Sequence, residues 1–144
     1  MSDHPHNWPN STDAILAALR ARGISPTQQR VDIARALLSR PQHLSADQVL
    51  ALVNADRNSV SKATVYNTLG LFAEHGLIRQ VIVDPTRVFY DSNIAPHHHL
   101  YQIDDGSLSD ISLNSVKLDG LPPLPKGTEI DGIDVIVRVR KTPS

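Results

Sequence analysis

Three adjacent histidines, His97, His98 and His99, are the residues of this sequence best suited to chemistry. Asp91 precedes them and Asp110 follows them at short distances along the chain. If the chain continues from the histidines as a strand, its side chains alternate, so His97 and His99 share one face and His98 occupies the other. Imidazoles and nearby carboxylates are the nitrogen and oxygen ligands of divalent transition metals. The stretch therefore predicts a metal site, and a solvated, histidine-rich loop is the alternative interpretation.

The composition is that of a folded protein without thiol chemistry. The 144 residues are 40% hydrophobic and 20% charged, enough for one domain or two small ones. No cysteine is present, which excludes disulfides, cysteine-bound zinc and thiol redox sensing. No apolar run approaches the ~18–20 residues of a membrane span, and the N-terminus lacks a signal-peptide pattern, so we expect a cytoplasmic protein with no membrane partner.

The charge is distributed unevenly along the chain. The net charge is -1, yet residues 1–90 carry nine Lys and Arg against seven Asp and Glu, whereas residues 91–144 carry five against eight. A basic face on the first part is therefore compatible with nucleic acid binding, although the composition does not require it.

Residues 11–90 carry the pattern of a winged helix-turn-helix domain. Their apolar residues first recur with the 3.6-residue period of helices, behind Ser and Thr caps, and after Gly76 with the two-residue period of strands. A capped helix after a short loop, followed by a two-stranded hairpin, is the plan of a winged helix that inserts its second helix into the DNA major groove. The predicted helices cover residues 13–22, about 25 or 27 to 40, 45–53 and 62–75, and the predicted strands cover residues 77–83 and 88–90.

The first turns of the helix at 62–75 carry side chains suited to the major groove. Val65, Leu69 and Phe72 lie at i, i+4 and i+7 and should face the core. On another face, Lys62 can meet phosphate or guanine and Asn67 can pair with adenine, while smaller and aromatic neighbours can pack on thymine methyls. An ordinary exposed helix face is the alternative interpretation. The candidate DNA contacts are Lys62, Ala63, Thr64, Tyr66 and Asn67, with Arg20, Arg22 and Arg57 as further phosphate or minor-groove candidates.

The last third of the chain follows a different plan. Ile133 and the valines that follow it at two-residue spacing predict a strand with one buried face over residues 133–139. Strands at 98–103 and 108–113 and at most one short helix near 113–118 complete the region. Because three strands bury too little apolar area to stand alone, we expect pairing with a second copy, which would also supply a second DNA half-site.

Five motifs, spread over about residue 19 to residue 140, are informative together. They are Ala63-Thr-Val-Tyr66 within the stretch 59–69, the His-x-His of residues 97–99, Thr27-Gln-Gln-Arg30, Gly76-Leu-Ile and Asp104-Asp-Gly-Ser-Leu-Ser-Asp110. Taken together, these motifs resemble the ferric uptake regulator family. The resemblance implies an α+β fold in which a winged-helix domain is hinged to a small α/β dimerisation domain, and a transcriptional regulator rather than an enzyme.

The resemblance also implies a division of the chain and a regulatory metal site. A flexible tail (1–10), a DNA-binding domain (11–90) and a hinge (91–96) are expected before a dimerisation and metal- or haem-sensing domain (97–144). Ligands from these parts would let one manganese, iron or zinc ion set the angle between the domains. The implied ligands are His43, Asp91, His97, His99 and Asp110.

The sequence also departs from the family pattern. The usual structural zinc is held by two Cys-x-x-Cys pairs, which are absent here, and positions of a further metal site hold His98 and Arg140. The histidine triplet and the short C-terminal ending are most similar to the iron response regulator branch, which senses haem. Some members of that branch carry an N-terminal Cys-Pro haem motif, which is absent here, so haem would be held by the triplet, His97, His98 and His99, with His4 and His6 as nonspecific scavengers.

The expected function is a metal- or haem-responsive regulator of iron, or of related metal or peroxide, homeostasis. It would act as a homodimer on a palindromic, AT-rich, double-stranded operator. A plain manganese-, iron- or peroxide-sensing repressor without haem response is the first alternative. A zinc hydrolase would need a general base and an open coordination position, for which no motif is found. A winged-helix module that binds protein instead of DNA is compatible with the near-neutral charge.

Overall fold

The structure is a computed structural model that describes residues 8–143 and divides between Ile94 and Ala95 into two compact units. We refer to them as the N-terminal unit and the C-terminal unit. Most of the predicted tail, together with His4 and His6, lies outside the described residues. Within residues 8–143, no helix is long and apolar enough to cross a membrane.

The described part of the N-terminal unit, residues 8–94, contains four helices, and local capping determines where each begins. Every helix follows a Ser or Thr whose side-chain oxygen accepts a backbone N–H bond from the residue three positions later. The caps of α1 and α2 are Ser11 and Thr27, and Ser45 forms a capping box with Gln48 at the start of α3. The helices are α1 (Thr12–Ala21), α2 (Gln28–Leu38), α3 (Ala46–Val53) and α4 (Lys62–Glu74).

A three-stranded antiparallel sheet completes this unit. The predicted hairpin is present as β2 (Arg79–Asp84) and β3 (Arg87–Asp91), and β1 (His43–Leu44) pairs with the outer side of β3. The prediction that β2 begins at residue 77 is wrong. Leu77 instead donates its N–H to the Phe72 carbonyl (2.9 Å) and is buried in the helical core, because the chain first closes the end of α4.

The core of the N-terminal unit fixes the orientation of α4. The predicted stripe of Val65, Leu69 and Phe72 is confirmed, since all three are fully buried. Burial of one such side chain contributes about 1.5–3 kcal/mol, so rotating α4 about its axis would be costly. Further fully buried partners come from α1, α2 and α3: Ile15, Leu19, Ile33, Leu37 and Val49.

Over its described residues, 95–143, the C-terminal unit contains one sheet of three strands, in the order β5-β4-β6. The central strand β4 (His98–Gln102) pairs antiparallel with β5 (Leu108–Ile111) and parallel with β6 (Ile136–Val139). A single 3-10 turn (Leu113–Ser115) lies where the sequence predicted at most a short helix. Among the described residues of this unit, Tyr101 is the one hydrophobic side chain that is buried.

The prediction of a buried strand face over residues 133–139 is wrong in two respects. The strand covers only Ile136–Val139, and both Ile133 and Val137 are 39% exposed. The physical reason is that the described chain supplies no layer of helix or sheet against this face of an edge strand. Other large apolar side chains of the unit are exposed as well: Ile103, Leu113, Leu118, Leu121, Leu124 and Ile130.

Candidate metal centre and nucleic-acid interface

In the C-terminal unit, two histidines converge on one carboxylate. The β4–β5 register sets His99 opposite Asp110. The Nε2 atom of His97 lies 3.2 Å from Asp110 Oδ1, and that of His99 lies 3.7 Å from the same oxygen. Donor atoms that share one ion at about 2.0–2.2 Å are at most about 4.4 Å apart, so both distances fit joint coordination.

The orientation of the His97 ring is fixed by a backbone contact. Its Nδ1 atom lies 2.6 Å from the Ala95 carbonyl oxygen, which is an acceptor only, so Nδ1 carries the proton and donates it. The lone pair of the neutral ring is then on Nε2, the atom that points to Asp110. A histidine oriented by such a bond is preorganised to bind a metal ion.

His98 has a different environment, as the predicted alternation requires. Its Nδ1 atom accepts a hydrogen bond from the Val135 N–H (3.1 Å), and the side chain is only 4% exposed. Because Nδ1 is the acceptor, Nε2 carries the proton of the neutral ring. The structure therefore brings His97 and His99 together with Asp110 and separates His98 from them.

In the N-terminal unit, His43 and Asp91 form a second donor set. They are opposite each other in the β1–β3 register, and His43 Nε2 lies 3.3 Å from Asp91 Oδ2. The other carboxylate oxygen of Asp91 accepts the Asn93 N–H (2.8 Å). Asp91 is almost completely buried, and a buried carboxylate is stable only beside a cation or several donors. The pair therefore offers an imidazole nitrogen and a carboxylate oxygen that suit a bound cation.

Gln42 and Ser92 hold this pair in register, and neither was predicted from the sequence. Ser92 Oγ accepts the Gln42 N–H (3.0 Å) and donates to the Arg40 carbonyl (2.9 Å), while Ser92 N–H donates to the Gln42 carbonyl (3.1 Å). The Gln42 side chain donates to the Ala36 and Leu37 carbonyls (2.9 and 2.8 Å). The residues next to His43 and Asp91 are thus tied to the end of α2, through contacts that no sequence pattern marks.

The first turns of α4 present the predicted polar surface. Lys62, Ala63 and Asn67 are exposed, and Tyr66 is 43% exposed. Thr64 is partly buried, and its hydroxyl oxygen accepts a bond from the Ser61 hydroxyl (2.9 Å). The surface therefore has the residue types that read base edges, at the helix end that a winged helix inserts into the groove.

The loop before α4 is shaped by Asn54, another residue that was not predicted from the sequence. Its side-chain oxygen accepts the Ser59 and Val60 N–H groups (3.1 Å each), and its amide donates to the Val60 carbonyl (2.8 Å). These bonds fold the α3–α4 loop back on the end of α3 and so place the Ser61 cap.

The three candidate arginines lie in different places. Arg57 is exposed in the α3–α4 loop and lines a cleft of about 720 Å³ with Arg35 and Arg40. Arg20 and Arg22 are exposed at the end of α1, where the Arg22 carbonyl lies 3.0 Å from His75 Nδ1. That contact is at the C-terminal end of α4, about 20 Å along the helix from Lys62. The structure does not bring Arg22 to the Lys62 surface.

Comparison with known proteins agrees with this architecture. A model of the ferric uptake regulator family matches residues 21–120. The peroxide-responsive repressor PerR of Staphylococcus aureus (strain Mu50) is 32% identical over 95 residues, 66% of this chain and 64% of that protein. The chain thus spans just under two thirds of the length of that relative.

Solved structures of ferric uptake regulators are similar in fold to this chain. The ferric uptake regulator of Pseudomonas aeruginosa with manganese has a TM-score of 0.64 at 26% identity, covering 88% of this chain and 97% of that one. The ferric uptake regulator of Francisella tularensis with iron has a TM-score of 0.66 at 23% identity, covering 83% of this chain and 92% of that one. At this identity the similarity supports the fold only.

Proposed function

Because the chain belongs to the ferric uptake regulator family, we propose that it is a metal-responsive transcriptional regulator that binds double-stranded DNA as a homodimer and performs no catalysis. The observation that carries the proposal is the convergence of two imidazole Nε2 atoms on the Asp110 carboxylate. Two imidazoles and one carboxylate within one small unit, one of the imidazoles oriented by a backbone contact, supply nitrogen and oxygen donors suited to an ion sensor. The exposed polar turns of α4 supply the output surface.

We assign the metal to five ligands, on donor chemistry and on the family resemblance. Three imidazoles and two carboxylates form a nitrogen and oxygen set that suits manganese, iron or zinc in the divalent state. The Pseudomonas aeruginosa relative was solved with manganese, which makes manganese the first ion to test. The five proposed ligands are His43, Asp91, His97, His99 and Asp110.

DNA reading is assigned to the exposed side of α4. Asn67 offers an amide for adenine, and Ala63 and the Tyr66 ring offer apolar contact to thymine methyl groups, which favours an AT-rich operator. The exposed apolar side chains of the C-terminal unit favour pairing with a second copy. A two-fold dimer would then read a palindromic site.

The proposal is tested with the parent and His99→Ala proteins, using manganese titration and DNA mobility shift with duplexes enriched from a random pool. We expect the parent to bind manganese saturably and to change its DNA affinity as the site fills. His99→Ala should bind manganese at least about tenfold more weakly and lose most of the response. His75→Ala is the matched control, because His75 is exposed and outside both donor sets. Equal behaviour of His99→Ala and the parent would overturn the metal assignment.

A haem-responsive regulator of the iron response type is the second candidate. The observation that favours it is His98, a third histidine of the triplet that the proposed manganese site does not use. In the neutral ring its Nε2 carries the proton, because Nδ1 accepts the Val135 hydrogen bond. Binding of haem iron through Nε2 would require the proton to move to Nδ1, and the Val135 hydrogen bond would then be lost.

The haem candidate predicts that His98→Ala diminishes a haem-dependent loss of DNA affinity and spares manganese binding. Removing residues 1–10 should leave the haem response unchanged, since His4 and His6 are expected to scavenge haem without effect on DNA. If haem shifts the DNA affinity of parent and His98→Ala identically, a plain metal or peroxide sensor is the better assignment.

A further inference from the structure

One carboxylate lies within the proposed DNA-reading surface. Asp47, in the first turn of α3, has its Oδ1 atom 3.6 Å from Lys62 Nζ and accepts a long hydrogen bond from the Tyr66 hydroxyl (3.5 Å). The Lys62 ammonium also lies 5.7 Å from the centre of the Tyr66 ring. Asp47 therefore contacts two of the proposed reading side chains at once.

We infer that Asp47 is a specificity-determining residue of this surface, an inference that rests on the proposed function. In the free protein, Asp47 contacts Lys62 and Tyr66. On DNA of unsuitable sequence, its charge lowers the affinity of the complex that these two side chains form. The side chains of Asp47 and Lys62 are 68% and 65% exposed, so water screens their pair and a DNA ligand can exchange it. The pair is thus weak enough to open on binding.

Phosphate and base edges affect this carboxylate in opposite ways. Random DNA attracts Lys62 to phosphate, which leaves the Asp47 charge unpaired beside a negative backbone and weakens the complex. A base edge with a donor, such as the cytosine N4 amino group, satisfies the carboxylate instead. Asp47 would therefore raise sequence preference mainly by weakening the competing complexes.

The test compares Asp47→Asn and Asp47→Glu with the parent. Each manganese-loaded protein is titrated by fluorescence anisotropy with two probes, a random-sequence duplex pool and a duplex enriched from that pool by the parent. We expect Asp47→Asn to bind the random pool about two- to fivefold more tightly. The salt dependence of its binding should be steeper, by the amount that corresponds to at most about one additional phosphate contact. Binding of the enriched duplex should change less or weaken, so the ratio of the two affinities falls. Asp47→Glu should retain most of the parent's ratio.

Glu74→Gln is the matched control, because it makes the same charge change at the other end of α4. That end is about 18 Å from Lys62 along the helix, beyond the screening length of about 8–10 Å at physiological salt. An unchanged affinity ratio in Asp47→Asn overturns the inference. A lower melting temperature with that unchanged ratio would show that Asp47 serves only the N-terminus of α3. A parent protein that binds neither probe instead overturns the proposed function.

Discussion

The two units of this protein have opposite interiors. The buried centre of the N-terminal unit is a continuous hydrocarbon cluster contributed by all four helices. Among the described residues of the C-terminal unit, the buried side chains are one tyrosine and the three histidines, while many of the larger aliphatic residues are exposed. The first interior is stabilised by water exclusion, which needs no ligand. Two residues of the second interior, His97 and His99, are proposed metal ligands, so we expect this interior to depend on what binds to it.

Under the proposed function, we expect this difference to separate the two roles, with metal-dependent stability mainly in the C-terminal unit and DNA contact in the N-terminal unit. A domain with a closed apolar core keeps its shape under changing conditions, so it can present α4 reliably to DNA. A small sheet without such a core gains stability from each ion or partner that binds its folded form. Mass action then couples occupancy to structure. Four experiments, ordered from the largest expected effect to the smallest, should separate the two units.

The largest contrast should come from matched leucine truncations. Leu69→Ala removes a fully buried side chain of α4 and should lower the free energy of unfolding by about 2–5 kcal/mol. Leu121→Ala removes a side chain that is 56% exposed in the single chain and should change that free energy by less than about 0.5 kcal/mol in the dilute, monomeric protein. Urea titration of the monomer measures both. Equal losses in the two monomeric variants would mean that Leu121 is already packed within one chain.

Metal should stabilise the two units unequally. Manganese at a hundredfold excess over its dissociation constant adds about 2.7 kcal/mol to the free energy of unfolding of the folded part that binds it. We expect hydrogen exchange to slow most in β4 and β5, which carry His99 and Asp110, and least in α2. The His99→Ala protein is the control, since it removes one proposed ligand. Uniform slowing over α2, β4 and β5 would contradict a difference between the units.

Removing the Ser92 hydroxyl should have an intermediate effect. Ser92→Ala leaves the Gln42 N–H without its side-chain acceptor, which costs about 1–3 kcal/mol for a partly buried donor. Because His43 and Asp91 depend on that register, manganese affinity should fall as well, by less than in His99→Ala. Calorimetric metal titration and thermal melting measure the two effects. Ser39→Ala, at an exposed position, should change neither.

The smallest effect concerns the pKa of one aspartate in each unit. It should be similar in both units, because each pKa is set by hydrogen bonds from a residue only two positions away. Hydrogen bonds from the Thr86 N–H and hydroxyl lower the pKa of Asp84, and bonds from the Ser107 hydroxyl and N–H lower the pKa of Asp105. A lowered pKa stabilises each turn above the ordinary aspartate pKa, and this contribution is lost as the pH falls through the lower folded value. Thr86→Ala should raise the pKa of Asp84 alone, as followed by carboxyl NMR titration. A shift of Asp105 in the same variant would show that the two turns are not independent.

Local chemistry explains which features the sequence could predict. Ser45, Ser61 and Gly76 mark helix ends through contacts a few residues apart, and the stripe of Val65 and Leu69 orients α4 by periodicity alone. Such features depend on neighbouring residues, so they can be predicted from the sequence. The alternation that separates His98 from its neighbours is predictable for the same reason.

Features that depend on distant residues were not predictable. The two-residue strand β1 exists only because β3, almost fifty residues later, offers its edge. The Gln42–Ser92 bonds cross the same span, and the contact between Asp47 and Tyr66 requires α3 and α4 to be packed. The strand at Ile136 was predicted too long because alternation indicates a face to be buried without indicating what buries it.

The coupling of ion binding to DNA binding is the central claim, and one measurement tests it most directly. The manganese affinity of the parent protein is determined by titration with and without a saturating amount of the enriched duplex. We predict that the two affinities differ, by the same factor by which manganese changes the affinity for that duplex, since linkage is reciprocal. Identical manganese affinities with and without DNA would contradict the coupling and leave the metal a purely structural role.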